Sequence, residues 1–231
     1  MSGATGVAVE VPEPRPGTIQ EHVIEWLRHA IVTRRLGPGD RVPQESVAEL
    51  VGVSVVPVRE ALGVLEGEGQ VVYRPRRGYF VAELDLDDLT EIYDLRLLLE
   101  GRAARLALPA LDAETIERME AAADECVALA RAADVAHELE ANRRFHFTLL
   151  EAAEQPQTMR VIRLLWDSTE AYRAIYYNSP DERDAADDAH RRILTAVRAR
   201  DPDRLVAELD AHRERALETL RGILGPAEGA G

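Results

Sequence analysis

The sequence predicts a mostly α-helical protein, with an N-terminal winged helix-turn-helix followed by an all-helical bundle of six helices. Three observations support this fold class. Apolar residues recur with helical spacing through almost every segment between residues 18 and 224. Residues 71–81 differ, because two short apolar stretches there flank the turn sequence RPRRG. Glycine, proline or aspartate stands at nearly every boundary between the periodic segments, where these residues cap or end helices.

The first domain, assigned to residues 18–83, contains three predicted helices and a hairpin. Thr18 can cap a first helix that continues to about Arg35, where the sequence LGPGD ends it. A short second helix covers residues 44–51, and the sequence GVS forms the turn that follows it. Ser54 can cap the third helix, which the sequence GEGQ ends. The segments VVY and YFV then form two short strands around the turn RPRRG.

The second domain, assigned to residues 84–225, keeps a helical period throughout. Its segment LTEIYDLRLLLEGRAARLAL is apolar over a wide stripe, which is typical of a helix packed inside a bundle. Aspartate or proline marks the boundaries between the segments. The predicted helices lie near residues 86–108, 112–133, 135–153, 157–178, 182–200 and 202–224.

Composition and length indicate a globular protein that does not span a membrane. Hydrophobic residues make up 46% and charged residues 30% of the 231 residues. Residues 1–17 lack the charged start and apolar core of a secretory signal, and no apolar run approaches ~18 residues. A single cysteine, Cys126, forms no internal disulfide. We therefore expect a cytoplasmic protein with no membrane partner, a disordered lead-in over residues 1–17 and a disordered tail over residues 226–231.

Charge is distributed unevenly along the chain. The sequence has 42 acidic residues, 28 arginines and no lysine, which gives a net charge of −14. Residues 18–82 contain eight arginines and eight acids, whereas residues 83–231 contain 19 arginines and 32 acids. Net acidity argues against indiscriminate binding to nucleic acid, but the neutral first domain still permits a local basic surface.

The third helix and the hairpin carry candidate residues for binding double-stranded DNA. The N-terminal residues of a recognition helix lie on base edges in the major groove. An arginine there can bond bidentately to guanine, while wing arginines can enter the minor groove or bind phosphate. Alternatively, Arg59 pairs with Glu45 or Glu66 and the hairpin only covers a core. The candidates are Ser54, Val55, Val56, Pro57, Arg59, Arg74, Arg76, Arg77 and Gly78.

This segment resembles a known family of bacterial regulators. The sequence VSVVPVREALGVLEGEGQVVYRPRRGYFV is similar to the GntR family pattern V-S-R-T-P-V-R-E-A-L, then L-x-x-E-G-L, then R-x-x-R-G. The spacing is kept throughout. The Arg and Thr of the family pattern are replaced by Val55 and Val56, which removes two polar DNA contacts that the resemblance would otherwise imply. The valines can instead touch thymine methyl groups, or the affinity is lower.

Four residues of the second domain are candidate ligands for one divalent metal ion. Asn142 and His146 are four residues apart and therefore lie on the same side of a helix. His190 and His212 follow on later helical segments. In a helical bundle these side chains can converge on a metal, leaving open positions for water or a ligand oxygen. By spacing alone, a satisfied set of core or surface residues is the alternative.

The second domain is also similar to the ligand-binding domain of the FadR subfamily, called FCD. The resemblance rests on the segments DLTEIYDLRLLLEGRAARLAL, NRRFHFTLLEAAEQP, DAHRRILTAVRARDPDRL and HRERALETL. It implies that Asn142, His146, His190 and His212 bind a divalent metal of the Zn, Ni or Mn type. It further implies that Arg96 reaches toward the ligand, with a salt bridge to Glu100 as the alternative. Weaker effector-binding candidates are Ser168, Tyr172 and Arg173.

Together these features predict a ligand-responsive transcriptional regulator. A homodimer would bind a palindromic DNA operator, since one module buries little surface. A small organic acid bound beside the metal would release a repressor, with activation left open. No recognisable catalytic pattern accompanies the histidines, so we do not predict an enzyme. A metal-dependent enzyme and a metal sensor that use the same histidine cluster are the alternatives.

Overall fold

A computed structural model of the protein describes residues 18–224, so the predicted lead-in and tail lie outside the described residues. The first domain contains three helices and two strands. Helix α1 begins with a capping box formed by Thr18 and Glu21, and it ends before the predicted Arg35. Helix α2 ends at Gly52, whose φ of +76° is left-handed. The elements are α1 (Ile19–Val32), α2 (Gln44–Val51), α3 (Val55–Gly67), β1 (Val71–Arg74) and β2 (Gly78–Val81).

The two strands form the predicted wing. They pair antiparallel, with Val71 opposite Val81 and Arg74 opposite Gly78. The turn between them places Arg76 at a φ of +64° and Gly78 at +91°. A left-handed backbone is easy for glycine and uncommon for arginine, so the tip of the wing is tightly bent.

The second domain contains seven α-helices and one turn of 3-10 helix within the described residues. Asp85 caps α4 through a capping box with Asp88, and Asp112 caps α5. These caps lie where the sequence pattern predicted helix starts. The elements are α4 (Leu86–Ala107), the 3-10 turn Leu108–Ala110, α5 (Ala113–Ala132), α6 (Val135–Glu151), α7 (Pro156–Ser168), α8 (Glu170–Tyr177), α9 (Pro180–Ala199) and α10 (Pro202–Leu224).

The predicted single helix over residues 157–178 is divided at Thr169. Its φ and ψ angles are −103° and 8°, outside the α-helical range. The buried Thr169 hydroxyl donates to the carbonyl oxygens of Leu165 and Trp166, at 3.1 and 3.2 Å. Such bonds from threonine to the preceding turn compete with the backbone hydrogen bonds of the helix. The spacing of apolar residues carries no information about these bonds, so it did not predict the break.

Three clusters of buried side chains hold the domains together. One is the core of the winged helix-turn-helix, and a second lies inside the helical bundle. The third includes Val32 of α1, Tyr93 of α4 and Tyr172 of α8, so it joins the two domains. The mostly α-helical fold class is therefore confirmed. None of the helices within residues 18–224 has the length and hydropathy needed to cross a bilayer.

Candidate functional site

The N-terminus of α3 presents a largely exposed surface. Ser54 occupies the cap position, but its hydroxyl makes no capping hydrogen bond. Val56 is 60% exposed, and Ser54 and Arg59 are also exposed. Val58 is fully buried and anchors the helix in the domain core. Ser54, Val56 and Arg59 are thus accessible to DNA, whereas Val55 is half-buried and packs against the core.

Arg59 does not form either of the ion pairs considered from the sequence. Its Nε donates to Oε1 of Gln44 at 3.0 Å, across the helix-turn-helix. Gln44 also approaches the wing, because a Cβ at Gly78 would lie 3.9 Å from its Nε2 and 3.8 Å from Nε of Arg41. Gln44 therefore joins the recognition helix to the wing, and Arg41 lies against the wing. Neither residue belonged to a recognisable sequence motif, so both were missed.

The wing arginines surround an aromatic ring. The guanidinium carbon of Arg74 lies 4.5 Å from the centroid of Phe80, and that of Arg77 lies 5.4 Å from it. Arg76 and Arg77 are exposed. Within residues 18–224, Arg59 and the three wing arginines have no carboxylate oxygen within 4.0 Å. The cations of this surface are therefore available to an anionic partner.

The three histidines predicted as metal ligands converge inside the helical domain. One nitrogen from each of His146, His190 and His212 lies within 4.8 Å of the others. Oδ1 of Asn142 lies 3.0 Å from Nε2 of His190. Adjacent ligands on an ion with bonds of ~2.1 Å are roughly 3.0–3.4 Å apart, so this pair suits a shared metal. Helices α6, α9 and α10 supply these residues.

The chemistry of the cluster also fits a divalent ion. Burial lowers the pKa of His146 and of His190 well below 6.5, and it lowers the pKa of His212 to about 4. Neighbouring imidazoles and arginines add to this effect. Both ring nitrogens of His146 and Nδ1 of His190 are buried without a hydrogen-bond partner. Neutral imidazoles with free lone pairs are the form that binds metal.

A buried ion-pair network lies beside the histidines. Glu100 is 1% exposed and accepts from Nε of Arg96 at 2.9 Å and from Nη1 of Arg213 at 2.6 Å. It also accepts from the indole nitrogen of Trp166 at 2.8 Å. Burial alone would raise the pKa of Glu100, but the two arginines outweigh it and lower that pKa. The predicted salt bridge of Arg96 is therefore present, and Arg96 also lines the cavity.

Arg173 is the cation of this site without a close carboxylate partner. It is 4% exposed, and its Nη2 donates to the carbonyl oxygen of Trp166 at 3.3 Å. Its Nε and Nη1 are buried without a partner. Burial lowers the pKa of Arg173 to about 10, so the guanidinium is still charged at neutral pH. Glu170 favours the charged form of Arg173 without bonding to it, and a buried cation with free donors is suited to an anion.

Trp166 lies between two guanidinium groups. Their central carbons are 4.4 Å from the indole centroid for Arg96 and 4.3 Å for Arg173. The ring of His146 lies 5.3 Å from the same indole. These side chains and Tyr93, Tyr176 and Tyr177 line a cavity with about 20 Å³ of free space, enough for about one water molecule.

The structure places two of the predicted effector residues outside this cavity. The Ser168 hydroxyl bonds to the carbonyl oxygen of Leu165 in its own helix, and its Cβ faces Gly69 of the first domain. The Tyr172 hydroxyl accepts from the Leu84 amide at 2.7 Å and donates to the Leu84 carbonyl at 3.1 Å. Neither side chain lines the cavity, so an effector role for Ser168 or Tyr172 stays a prediction without support from their contacts.

Comparison with known families identifies both domains. Residues 19–81 match the family described as bacterial regulatory proteins, gntR family. Residues 91–215, more than half of the chain, match the FCD domain. The chain is a GntR-family regulator with an FCD domain. The predicted resemblance is thereby confirmed, and this GntR-family protein is a DNA-binding transcriptional regulator rather than an enzyme.

Relatives of this GntR-family protein cover nearly all of its length. It is 24% identical over 216 residues to the HTH-type transcriptional regulator YdhC of Bacillus subtilis, with 93% of this chain and 96% of YdhC covered. It is 29% identical over 222 residues to BphR of Paraburkholderia xenovorans, with 93% and 90% covered. The solved structure of Escherichia coli McbR/YncC has a TM-score of 0.79 at 23% identity and covers 90% of this chain and 99% of that chain. The structural likeness supports the shared fold.

Several cavity residues of this GntR-family regulator had escaped sequence reasoning. Trp166 and Arg213 face the predicted ligands, but both sit in helices whose periodicity gives no sign of a site. A buried arginine within an apolar stripe is the one pattern that could have indicated Arg213. Asn142, His146, His190, His212, Arg96 and Arg173 are the predicted residues that come together here.

Proposed function

We propose that this regulator binds a small carboxylate effector beside a divalent metal ion and thereby loses affinity for its DNA operator. The observation that carries the proposal is Arg173, a buried cation with two unpartnered nitrogen groups next to the histidine cluster. Arg96 was the sequence-based choice for pairing with the effector, but Glu100 already accepts from its Nε. Arg173 is therefore the better choice for binding the carboxylate.

Asn142, His146, His190 and His212 would hold the metal, which we propose to be of the Zn, Ni or Mn type. A bound ion supplies Lewis-acid attraction for a ligand oxygen at an open coordination position. Since all four protein ligands are neutral, they leave the charge of the ion uncompensated. This charge and Arg173 both favour an anionic effector. The cavity has about 20 Å³ of free space, so its side chains must move apart to admit even a compact acid.

We further propose that the protein binds a palindromic operator as a homodimer and acts as a repressor. One winged helix-turn-helix buries too little surface for tight specific binding, whereas two related modules match a two-fold site. An exposed apolar face on α4 and α7 supports pairing with a second copy. This face consists of Leu95, Leu98, Leu106, Val161 and Leu164, which are 41–66% exposed.

Metal content tests the first part of the proposal. Purified wild-type protein, loaded with Zn²⁺ and desalted, should retain one equivalent by elemental analysis. The double variant His190→Ala with His212→Ala should retain much less than the wild type. His137→Ala, which removes a histidine outside the cluster, should match the wild type. Equal retention by the double variant would rule out this metal site.

The effector is tested by pairing each small organic acid with its neutral amide. Thermal stabilisation by an acid, absent with its amide, should disappear in Arg173→Gln. Arg163→Gln removes an exposed arginine that pairs with Glu151, so it should leave the stabilisation intact. If both variants respond like the wild type, Arg173 does not bind the carboxylate.

DNA binding and assembly can be measured with the same preparations. Affinity for the DNA upstream of its own gene should fall steeply with salt and fall again on addition of the active acid. Sedimentation should give a dimer, and Leu98→Glu should give a monomer. Leu50→Glu changes an exposed leucine of the first domain and should remain dimeric. A monomeric wild-type protein would contradict the proposed assembly.

A further inference from the structure

The eight residues Trp166–Arg173 contact both the cavity and the DNA-binding domain. We propose that this coupling segment carries occupancy of the cavity to the DNA-binding domain, and that Tyr172 positions the linker between the domains. The inference rests on the proposed function, because it takes the cavity as the effector and metal site. It assigns a role to a set of contacts that the histidine cluster and the wing leave unexplained.

The two ends of the coupling segment lie at the cavity. Trp166 is in van der Waals range of His146 and bonds through its indole to Glu100. The guanidinium carbon of Arg173 lies 4.3 Å from the indole centroid of Trp166, and Arg173 keeps unpartnered nitrogens. A metal held by His146 and an anion held by Arg173 would therefore both act on residues of this segment.

The middle of the coupling segment lies against the first domain. A Cβ at Gly69, the residue between α3 and β1, would lie 3.3 Å from Cβ of Ser168. Ala171 packs against the core of the winged helix-turn-helix. The Tyr172 hydroxyl holds both the amide and the carbonyl of Leu84, which lies in the link between β2 and α4. These contacts fix the linker and the base of the wing to one short segment.

Charged residues of the coupling segment also interact with both the cavity and the DNA-binding domain. Asp167 pairs with Arg143 of α6 at 2.7 Å. Glu170 is attracted to Arg173 on the cavity side and to Arg28 of α1 on the DNA-binding side. Arg28 in turn pairs with Glu68 at the end of α3 at 2.7 Å. Burial raises the pKa of Glu170 and these arginines oppose the rise, so an anion bound to Arg173 would change the charge that Glu170 experiences.

The break at Thr169 explains how such a change can become a movement. An unbroken helix would transmit only rigid-body shifts, whereas two helices joined at one non-helical residue can change their mutual angle. Side chains are closely packed on both sides of the break, so a small shift of α8 relative to α7 also moves the contact between Tyr172 and Leu84. The break therefore allows Tyr172 to respond to Trp166 and Arg173.

Hydrogen exchange of the full-length protein tests the proposal, with Zn²⁺ alone as the probe. In the wild type, Zn²⁺ should change the exchange of the Leu84 amide and of the strands Val71–Arg74 and Gly78–Val81 by about threefold or more. In Tyr172→Phe, calorimetry should give a Zn²⁺ affinity within about threefold of the wild type, but the response in the strands should be lost. Ser168→Ala removes a hydroxyl that bonds within its own helix, so it should keep the response.

Each outcome has one meaning. If Zn²⁺ binds the wild type without altering exchange in the linker or the strands, the coupling proposal is overturned and the metal site stands. If Tyr172→Phe keeps the full response in the strands, the role of Tyr172 is overturned. If Zn²⁺ does not bind the wild-type protein at all, the proposed cavity site fails instead. A response lost in Tyr172→Phe and kept in Ser168→Ala supports the coupling segment.

Discussion

The two domains use arginine in opposite ways. On the first domain, Arg59, Arg76 and Arg77 are exposed and have no carboxylate within 4.0 Å among residues 18–224. In the second domain, Arg96 and Arg213 are buried and share one carboxylate, that of Glu100. Exposed cations cost little to keep unpaired because water solvates them, whereas an unpaired buried cation such as Arg173 is costly until an anion binds it. The first arrangement suits a large partner that arrives from solvent, and the second suits a small ligand inside a cavity.

The largest effect should come from removing the shared carboxylate. Glu100→Gln leaves the buried Arg96 without a counter-charge and Arg213 with Asp210 alone, so we expect the free energy of unfolding to fall by ~3–5 kcal/mol. Asp203→Asn removes the partner of Arg105 at an exposed position and should cost at most ~1 kcal/mol. Urea denaturation of both variants measures the difference. Similar losses of unfolding free energy in the two variants would mean that the buried ion pairs stabilise the protein no more than the exposed one.

A buried acid without a hydrogen bond should make stability depend on pH. Glu138 is 1% exposed and both its oxygens lack a partner, although Arg183 lies 3.9 Å away. Burial raises its pKa to about 8, with Arg183 opposing and Asp187 adding to the rise. The folded state therefore binds this proton more tightly than the unfolded chain does. Its contribution is complete below pH ~4.5 and is lost as pH rises through about 8.

Glu138→Gln should remove this dependence. We expect the variant to gain a few kcal/mol over the wild type at pH 9 and to differ less at pH 5. Glu140→Gln changes an exposed glutamate of the same helix and should leave the profile unchanged. Denaturation midpoints measured from pH 5 to 9 provide the test. Parallel profiles for Glu138→Gln and the wild type would show that Glu138 is ionised throughout.

Removing an exposed arginine should affect DNA binding but not folding. Arg59→Ala should cost roughly 1–3 kcal/mol of specific operator binding, with the thermal midpoint nearly unchanged. Arg198→Ala removes an exposed arginine that pairs with Glu120 in the second domain, so operator affinity should stay the same. Fluorescence anisotropy with labelled DNA measures both. An unchanged affinity for Arg59→Ala would exclude it from the interface.

The smallest effect concerns backbone strain where the domains meet. Gly69 has a φ of +74° and faces Ser168, so Gly69→Ala should destabilise the protein by about 1–2 kcal/mol. Gly63 lies within α3, and a Cβ added there would have no heavy atom of a neighbouring side chain within 4 Å. Gly63→Ala should therefore stabilise it by up to ~1 kcal/mol. Thermal unfolding that gives the same sign for both substitutions would contradict the assignment of strain to Gly69.

The sequence predicted those features that depend on local pattern. The caps at Thr18, Asp85 and Asp112 and the turn RPRRG are set by nearby residues, so their positions agree with the structure. The histidine cluster was predicted from the resemblance to the FCD domain, since by spacing alone a satisfied set of core or surface residues was the alternative. The geometry of its members is consistent with that prediction, although metal binding itself stays a prediction.

Features that depend on long-range packing could not be predicted from local sequence patterns. Arg173 and Tyr172 are neighbours on one short helix, yet one faces the cavity and the other the linker. Adjacent side chains of a helix point about 100° apart, but which of them meets the cavity depends on the direction that α8 takes after the break at Thr169. Likewise, Gln44 contacts Arg59 across 15 residues of sequence, a distance over which periodicity carries no information.

The uneven charge of the two domains also affects the approach to DNA. The 32 acids and 19 arginines of residues 83–231 make the bulk of the molecule repel a duplex, while the first domain is electrically neutral and exposes its arginines. As the protein diffuses toward DNA, electrostatic repulsion of the acidic helices therefore favours orientations in which the wing and α3 face the duplex. Encounters in the wrong orientation are rejected before contact, so the acidic body shortens the search for a productive collision.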